Sequence, residues 1–269
     1  MRVLLDDPKH QVLALYTGEK NEADAVYTRH VRSLAAAHKI PVVKDKPTAE
    51  TMAELHQQGC EMVLCAGYNY KIPNWQGNVP GGSIKYGVNI HPSLLPQGGG
   101  PISVPLAIYK GIEKTGVTMH VLAPDWDAGD IVLQTELPID KDEVYEILLG
   151  RVRETGKNLL INFLKDPQKY WGNATPQNED EIDYWPMPKI DLFANDYTEG
   201  METIQRKLRV HRFIGPEGNV EYIDDIVLLN EQHDYPPGTV INRSDDHHFT
   251  VAVKDGFVRF QVKTYIDTV

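Results

Sequence analysis

Gly87-Val-Asn-Ile-His-Pro-Ser-Leu-Leu-Pro96, with Gly98-Gly99-Gly100-Pro101 after it, is the stretch that decides how this chain folds. Gly87-Val88-Asn89-Ile90-His91 reads as a strand, and it ends at Pro92, whose ring nitrogen has no proton to give a ladder. Asn89 and His91 are two apart, so on a strand their side chains leave the same face. Pro92 and Pro96 stiffen the loop that follows, and the glycines let backbone come close to a ligand. Further on, Thr115-Gly-Val-Thr-Met-His120 reads as another strand. It runs into Asp125-Trp-Asp-Ala-Gly-Asp-Ile131, where Asp127 precedes a flexible Ala-Gly. An amide, an imidazole and a carboxylate converging at strand ends can run acyl transfer without a covalent intermediate. The amide donates to a developing oxyanion. The imidazole moves or stabilises a proton, and the carboxylate fixes its tautomer and raises its pKa. Taken singly, Asn-x-His on a strand and Asp-Ala-Gly in a turn are common structural features.

Around this stretch, apolar runs alternate with helical periods. Val12-Leu13-Ala14-Leu15-Tyr16, Ile40-Pro41-Val42-Val43 and Glu61-Met62-Val63-Leu64-Cys65-Ala66 read as strands; Tyr27 to His38 and Thr48 to Gln58 read as helices. Continuous apolar strands in β–α alternation imply an α/β fold, a mainly parallel doubly wound sheet with ligands at the carboxyl ends of its strands. The chain opens on Val3-Leu4-Leu5, which reads as a helix end, so the first strand of such a sheet is expected to be absent. The domains expected are a catalytic domain over 1–170, a linker over 171–198 rich in Asn, Asp, Glu and Pro, and a small β-barrel-like domain over 199–269. The last holds a short helix, Thr203 to Val210, and strands at Val220–Ile223, Pro237–Ile241, Phe249–Val253 and Val258–Val262 separated by Gly or Asp turns.

The net charge of −11 speaks against a polyanion as the main partner, because affinity for phosphates needs a basic face. From Lys189 onward nine Lys and Arg stand against fourteen Asp and Glu, a balance of −5. Arg206, Lys207, Arg209, His211 and Arg212 form the one basic run, a solvated helix end or a phosphate contact. Cys60 and Cys65 read as core of a strand, and no Cys/His cluster has zinc spacing, so no metal is expected. His247-His248 reads as a solvated turn. His120 reads as a satisfied structural histidine, and Trp126 as either a stacking surface or a plug of the strand end. No secretion signal or spanning apolar run stands out, which gives a cytoplasmic expectation.

Asn-Ile-His-Pro-Ser-Leu-Leu-Pro at 89–96, Gly-Val-Thr-Met-His at 116–120 and Asp-Ala-Gly-Asp-Ile-Val-Leu-Gln at 127–134 together resemble the 10-formyltetrahydrofolate-dependent formyltransferases. The stretches His30 to Val42 and Gly67-Tyr68-Asn69-Tyr70-Lys71-Ile72-Pro73 are similar to the first half of that superfamily. Pro237-Gly-Thr-Val-Ile and Val251–Phe260 look like the carboxyl-terminal OB-like barrel of its methionyl-tRNA and amino-sugar branches. The resemblance implies transfer of a formyl group from 10-formyltetrahydrofolate, as co-substrate, to a primary amine. It implies that Asn89 and protonated His91 steady the oxyanion, while Asp127 holds His91 charged and helps move protons to the leaving nitrogen. It places Tyr68, Asn69, Tyr70, Ile72, Leu122 and Asp125 around the pterin, and Ser93, Leu94, Leu95, Pro96, Gly98 and Gly99 beside the amine. Gln97-Gly-Gly-Gly100 stands where many members carry an Arg-Gly pair, so an anion contact is expected to be absent or altered. The expected substrate is a small amine such as a nucleotide-linked amino sugar. The alternatives are methionyl-tRNA, and a non-catalytic folate-binding relic or module. Neither DNA nor a membrane is an expected partner, and a homodimer is left open.

Overall fold

Apolar runs such as Met62–Ala66, stopped by Gly67, and Tyr86–His91, stopped by Pro92, form strands of the computed structural model, which describes residues 1–19, 22–72, 75–76, 83–187, 197–210, 212–214, 220–244 and 247–265. In chain order the elements of the first half are α1 (Arg2–Leu5), β1 (Leu15–Tyr16), α2 (Glu22–Ala37), β2 (Val42–Val43), α3 (Ala49–Gln57), β3 (Met62–Ala66), β4 (Tyr86–His91), β5 (Gln97–Gly99), α4 (Ser103–Tyr109), β6 (Lys114–Val121) and β7 (Ile131–Pro138). Then come α5 (Tyr145–Lys165), α6 (Pro167–Gly172), a 3₁₀ turn at Glu179–Glu181, β8 (Asp183–Tyr184), α7 (Met201–Val210), β9 (Arg212–Ile214), β10 (Val220–Leu229), β11 (Val240–Arg243), β12 (His248–Val253) and β13 (Gly256–Tyr265). His211, the Asp245-Asp246 pair and residues 188–196 of the expected linker lie outside the described residues.

The chain divides into two compact units: Met1–Gly99, Val117–Thr135 and Glu154–Tyr184 form the first, and Gly100–Gly116, Glu136–Arg153 and Trp185–Val269 the second. A four-stranded sheet runs in the order β3-β4-β6-β7, and β1 and β2 form a separate parallel pair. The α/β fold with a parallel sheet is found, with one antiparallel return inside it. β3 and β4 are parallel, but β4 and β6 are antiparallel. The connection between them, residues 92–113, holds β5 and α4. Packed against β4 is α5, whose Gly156 allows the approach: a Cβ there would stand 3.1 Å from Ile90 Cγ2. Trp75 lies over Gly87 and donates its indole N–H to the Leu122 carbonyl at 3.0 Å, closing a core with Met52 and Ile84.

In the second unit β11-β12-β13-β10-β9 form one antiparallel sheet, and Ile204 and Leu208 of α7 pack on it against Ile223, Val251, Val258 and Phe260. Where a small β-barrel-like domain was expected, the described residues form an open sheet. Its edges are the three-residue β9 and a β11 whose four residues are all exposed, and no ladder joins them.

Candidate active site

The register of β4 against β6 pairs Asn89 with His120 and His91 with Thr118. Side chains alternate along both strands, so these four polar groups share one face of the sheet. His120, buried, has Nδ1 2.9 Å from the Val121 carbonyl and Nε2 3.0 Å from Asn89 Nδ2. The Nδ1 proton goes to the carbonyl, leaving the Nε2 lone pair to accept from the Asn89 amide. That bond fixes which end of Asn89 is the donor and keeps its second N–H available.

His91 ends β4 and is buried, with Nε2 3.1 Å from the Gly98 carbonyl and Nδ1 3.4 Å from Asp127 Oδ1. The same carboxylate oxygen is 3.7 Å from His120 Nε2. Burial pushes the His91 pKa down, and this outweighs the upward pull of the Asp127 carboxylate and the Gly98 carbonyl; His120 adds a small push downward. Both ring nitrogens face acceptors, the Gly98 carbonyl at Nε2 and the Asp127 carboxylate at Nδ1, so a proton at Nδ1 is stabilised there against the cost of burial.

Asp127 itself sits at φ 54°, in the left-handed region. Gly129 follows because a Cβ there would meet the Val121 carbonyl oxygen at 1.8 Å. Gln177 Nε2 donates to the Asp127 carbonyl at 2.6 Å and the Gly129 carbonyl at 2.8 Å. A narrow cleft of about 30 Å³, room for one or two small groups, lies beside the carboxylate. It is lined by Leu95, Pro96, Gly99, Trp126, Ala128, Gln177, Ile182 and Tyr184.

The residues expected beside the amine divide between cleft and scaffold. Leu95, Pro96 and Gly99 line the cleft. Ser93 is buried and donates to the Gln97 carbonyl at 2.9 Å, which occupies its hydroxyl proton. Leu94 is half-buried. Gly98, at φ 75°, turns its carbonyl to His91. Thr118 and Gln134 hold this loop down. Thr118 Oγ1 donates to the Ser93 carbonyl at 2.7 Å and accepts from Leu95 N–H at 3.1 Å, while Gln134 Nε2 donates to the Leu95 carbonyl at 2.7 Å.

The residues expected around the pterin fall into three separate settings. Tyr68 and Tyr70 pack edge to face at 5.6 Å, against Gly18. The side chains of Ile72 and Leu122 pack on the Met52–Trp75–Ile84 core, and the Leu122 N–H and carbonyl are taken by Gly87 and Trp75. Asp125 is exposed and lies 3.7 Å from Lys71, and Asn69 is exposed. Among the described residues no group of three or more His, Cys, Asp or Glu side chains has the geometry to hold a metal ion, and no helix is long and apolar enough to cross a membrane.

Reading from the residues alone missed Thr118, Gln134 and Gln177. The first two carry a faint signal, since Thr118 is two residues from His120 on one strand and Gln134 lies on the strand that follows Asp127. Gln177 lies fifty residues from the carbonyl it binds and has none.

The half-buried Asn89 amide and the buried His91 imidazole share one face of an α/β sheet and meet the carboxylate of Asp127, which lines a narrow cleft. The family model described as "Formyl transferase" matches residues 10–164, more than half of the chain. The chain belongs to the formyl transferase family and is an enzyme of that class. It is 30% identical over 274 residues to the methionyl-tRNA formyltransferase of Ehrlichia canis (strain Jake), covering 94% of this chain and 84% of that protein. Among solved structures it is similar in fold to WlaRD, a sugar 3N-formyl transferase solved in the presence of dTDP and 5-N-formyl-THF. The TM-score is 0.58 at 20% identity, over 89% of this chain and 82% of that one. HypX from Aquifex aeolicus, solved with tetrahydrofolic acid, matches with a TM-score of 0.58 at 19% identity, over 92% of this chain and 43% of that one.

Proposed function

We propose that this enzyme transfers the formyl group of 10-formyltetrahydrofolate to a primary amine of a small molecule, a nucleotide-linked amino sugar being the substrate class. One observation carries the transfer chemistry. The buried His91 has its Nδ1 3.4 Å from the Asp127 carboxylate, with the Asn89 amide oriented by His120 on the same face. The proton released by the attacking amine passes by way of Asp127, which lines the cleft, to His91 Nδ1, and the carboxylate stabilises the resulting cation. Asn89 donates its second N–H to the oxyanion that develops on the formyl oxygen. The new bond joins the amine nitrogen to the formyl carbon, the bond from that carbon to the folate nitrogen breaks, and that nitrogen receives the proton. The Tyr68 hydroxyl, buried with no hydrogen-bond partner among the described residues, supports folate as the donor, because such a group gains from a polar ligand.

A small amine is favoured over tRNA by the fate of the basic run. Lys207 and Arg209 are buried, the first on Glu199 and the second on the carbonyls of Asp140 and Glu143, so neither is offered to a phosphate backbone. The methionyl-tRNA reading is kept as the second, on the 30% identity to an enzyme of that name. Incubation with 10-formyltetrahydrofolate and a panel of amines, followed by mass spectrometry, tests the proposal. A nucleotide-linked amino sugar is expected to gain the mass of one formyl group. Formylation of methionyl-tRNA alone overturns the small-amine reading. No formylated amine and no folate release overturns transfer itself, in favour of a folate-binding module.

A further inference from the structure

The segment from Thr175 to Tyr184 has a sequence rich in Asn, Asp and Glu, yet it is built into the first unit at three points. At its start Thr175 and Ile131 exchange both backbone hydrogen bonds, at 2.7 and 3.0 Å, just beyond the Asp127 loop. In its middle, Gln177 spends both protons of its amide on the carbonyls of Asp127 and Gly129. At its end β8 pairs with β5, and the Asp183 N–H donates to the Pro96 carbonyl at 3.2 Å. Between them the Asn178 side chain accepts from Asp180 N–H at 3.2 Å and starts the 3₁₀ turn that sets the spacing. Gly99 of β5 lies between Tyr184 and Asp127, its Cβ position 3.4 Å from the Tyr184 ring and 3.5 Å from Asp127 Cβ.

The two loops held in this way are the two that supply the partners of His91. One loop brings the Asp127 carboxylate to Nδ1, and the other brings the Gly98 carbonyl to Nε2. We propose that Thr175–Tyr184 is a positioning strap for the transfer site, and that Gln177 is the positioning residue that holds Asp127 against His91. The proposal rests on the roles given above to Asp127 and His91. Asp127 occupies the left-handed region, which Asp adopts more readily than most non-glycine residues. The two Gln177 bonds hold the loop in it from outside, and Gly129 permits the close approach from within. The strap also sets Ile182 and Tyr184 on the wall of the cleft, so the face that positions the carboxylate borders the space for the amine.

The test uses Gln177→Met, which keeps the length and volume of the side chain and removes both donors without adding charge. Gln177→Ala is the second variant, and Asp127→Asn is the reference. Two readouts are taken on the full chain: kcat for formyl transfer, and the pH titration of the His91 ring by NMR, its signal assigned by loss in His91→Gln. The titratable groups that face His91 are Asp127, which raises its pKa, and His120, which lowers it. Displacing Asp127 therefore moves the His91 titration to lower pH. The strap account expects this shift in Gln177→Met, with a fall in kcat of about 10²-fold, the scale of a 1 Å misplacement. A His91 titration equal to wild type overturns it, whether or not kcat falls, since a general loss of packing would spare the pairing. Full activity in Asp127→Asn refutes the role of Asp127 instead. Full activity in Gln177→Met beside a crippled Asp127→Asn refutes the strap alone. The titration decides the matter even if no amine is turned over.

Discussion

Both units of this chain bury polar groups, and they do so to opposite ends. In the second unit Arg209 donates to the Glu143 and Asp140 carbonyls at 2.9 and 2.8 Å, and Arg151 meets the Glu143 carboxylate at 2.7 Å. The partners of each cation are fixed and lie in the same unit, which is how buried charge is kept when it serves the fold. In the first unit His91, His120, Asn89 and Asp127 are also paired, but one edge of the cluster meets a cleft walled by Trp126, Ile182 and Tyr184. There the pairing sets a buried imidazole beside a carboxylate that borders a cleft, with the second N–H of Asn89 unspent. Burial alone therefore does not mark a functional residue. A buried group with an accessible side and an unspent proton does.

If that contrast is right, substitutions in the first cluster lower the rate and leave stability nearly intact, and substitutions in the second do the reverse. The largest effect is expected for His91→Ala, a fall in kcat of about 10²–10⁴-fold, the usual range for a positioned acid–base group. Steady-state kinetics checks it, with thermal melting to show that the fold is kept. Asp127→Asn comes next, at about 10²-fold. It also changes the pH profile. Asp127 pulls the His91 pKa upward against burial, so its loss lowers that pKa and moves the acid limb of the rate profile to lower pH. The folded pKa of His91 lies below its unfolded value, so wild-type stability falls as pH drops from about 6.5 through the lowered folded value. Denaturant titrations of wild type against His91→Ala across that window are expected to show the variant losing less. Arg209→Met leaves two buried carbonyls without donors and is expected to cost about 2 kcal/mol of stability with kcat unchanged. The smallest effect falls on His120→Leu. It removes the acceptor that orients Asn89, at about 1 kcal/mol or a fivefold loss of kcat with little change in KM.

Much of the site could be seen in the sequence because strand periodicity is local. Asn89 and His91, two apart before Pro92, and Thr118 and His120, two apart on the next strand, share a face whatever the topology. The antiparallel return of β6 was not visible, since strand direction leaves no mark on the apolar pattern and the connection of residues 92–113 is long enough for either sense. Helix α5, the longest, escaped the reading because Gly150 and Gly156 and several charges interrupt its apolar stripe. Gly156 costs helix propensity and is there because Ile90 presses on it, a reason found only in the packing. The downward push of burial on the His91 pKa was invisible for a related cause, since desolvation depends on what covers a residue. Gln177 was beyond reach, because nothing near it in the chain tells that it faces Asp127.

The claim that His91 and Asp127 act as one unit in formyl transfer is tested most directly by a double-mutant cycle on kcat, with His91→Ala, Asp127→Asn and the pair combined. A carboxylate that works through the imidazole has nothing left to do once the ring is gone, so the double variant is predicted to be about as slow as His91→Ala alone. Losses that multiply in full would mean that the two residues act independently, and would contradict the account.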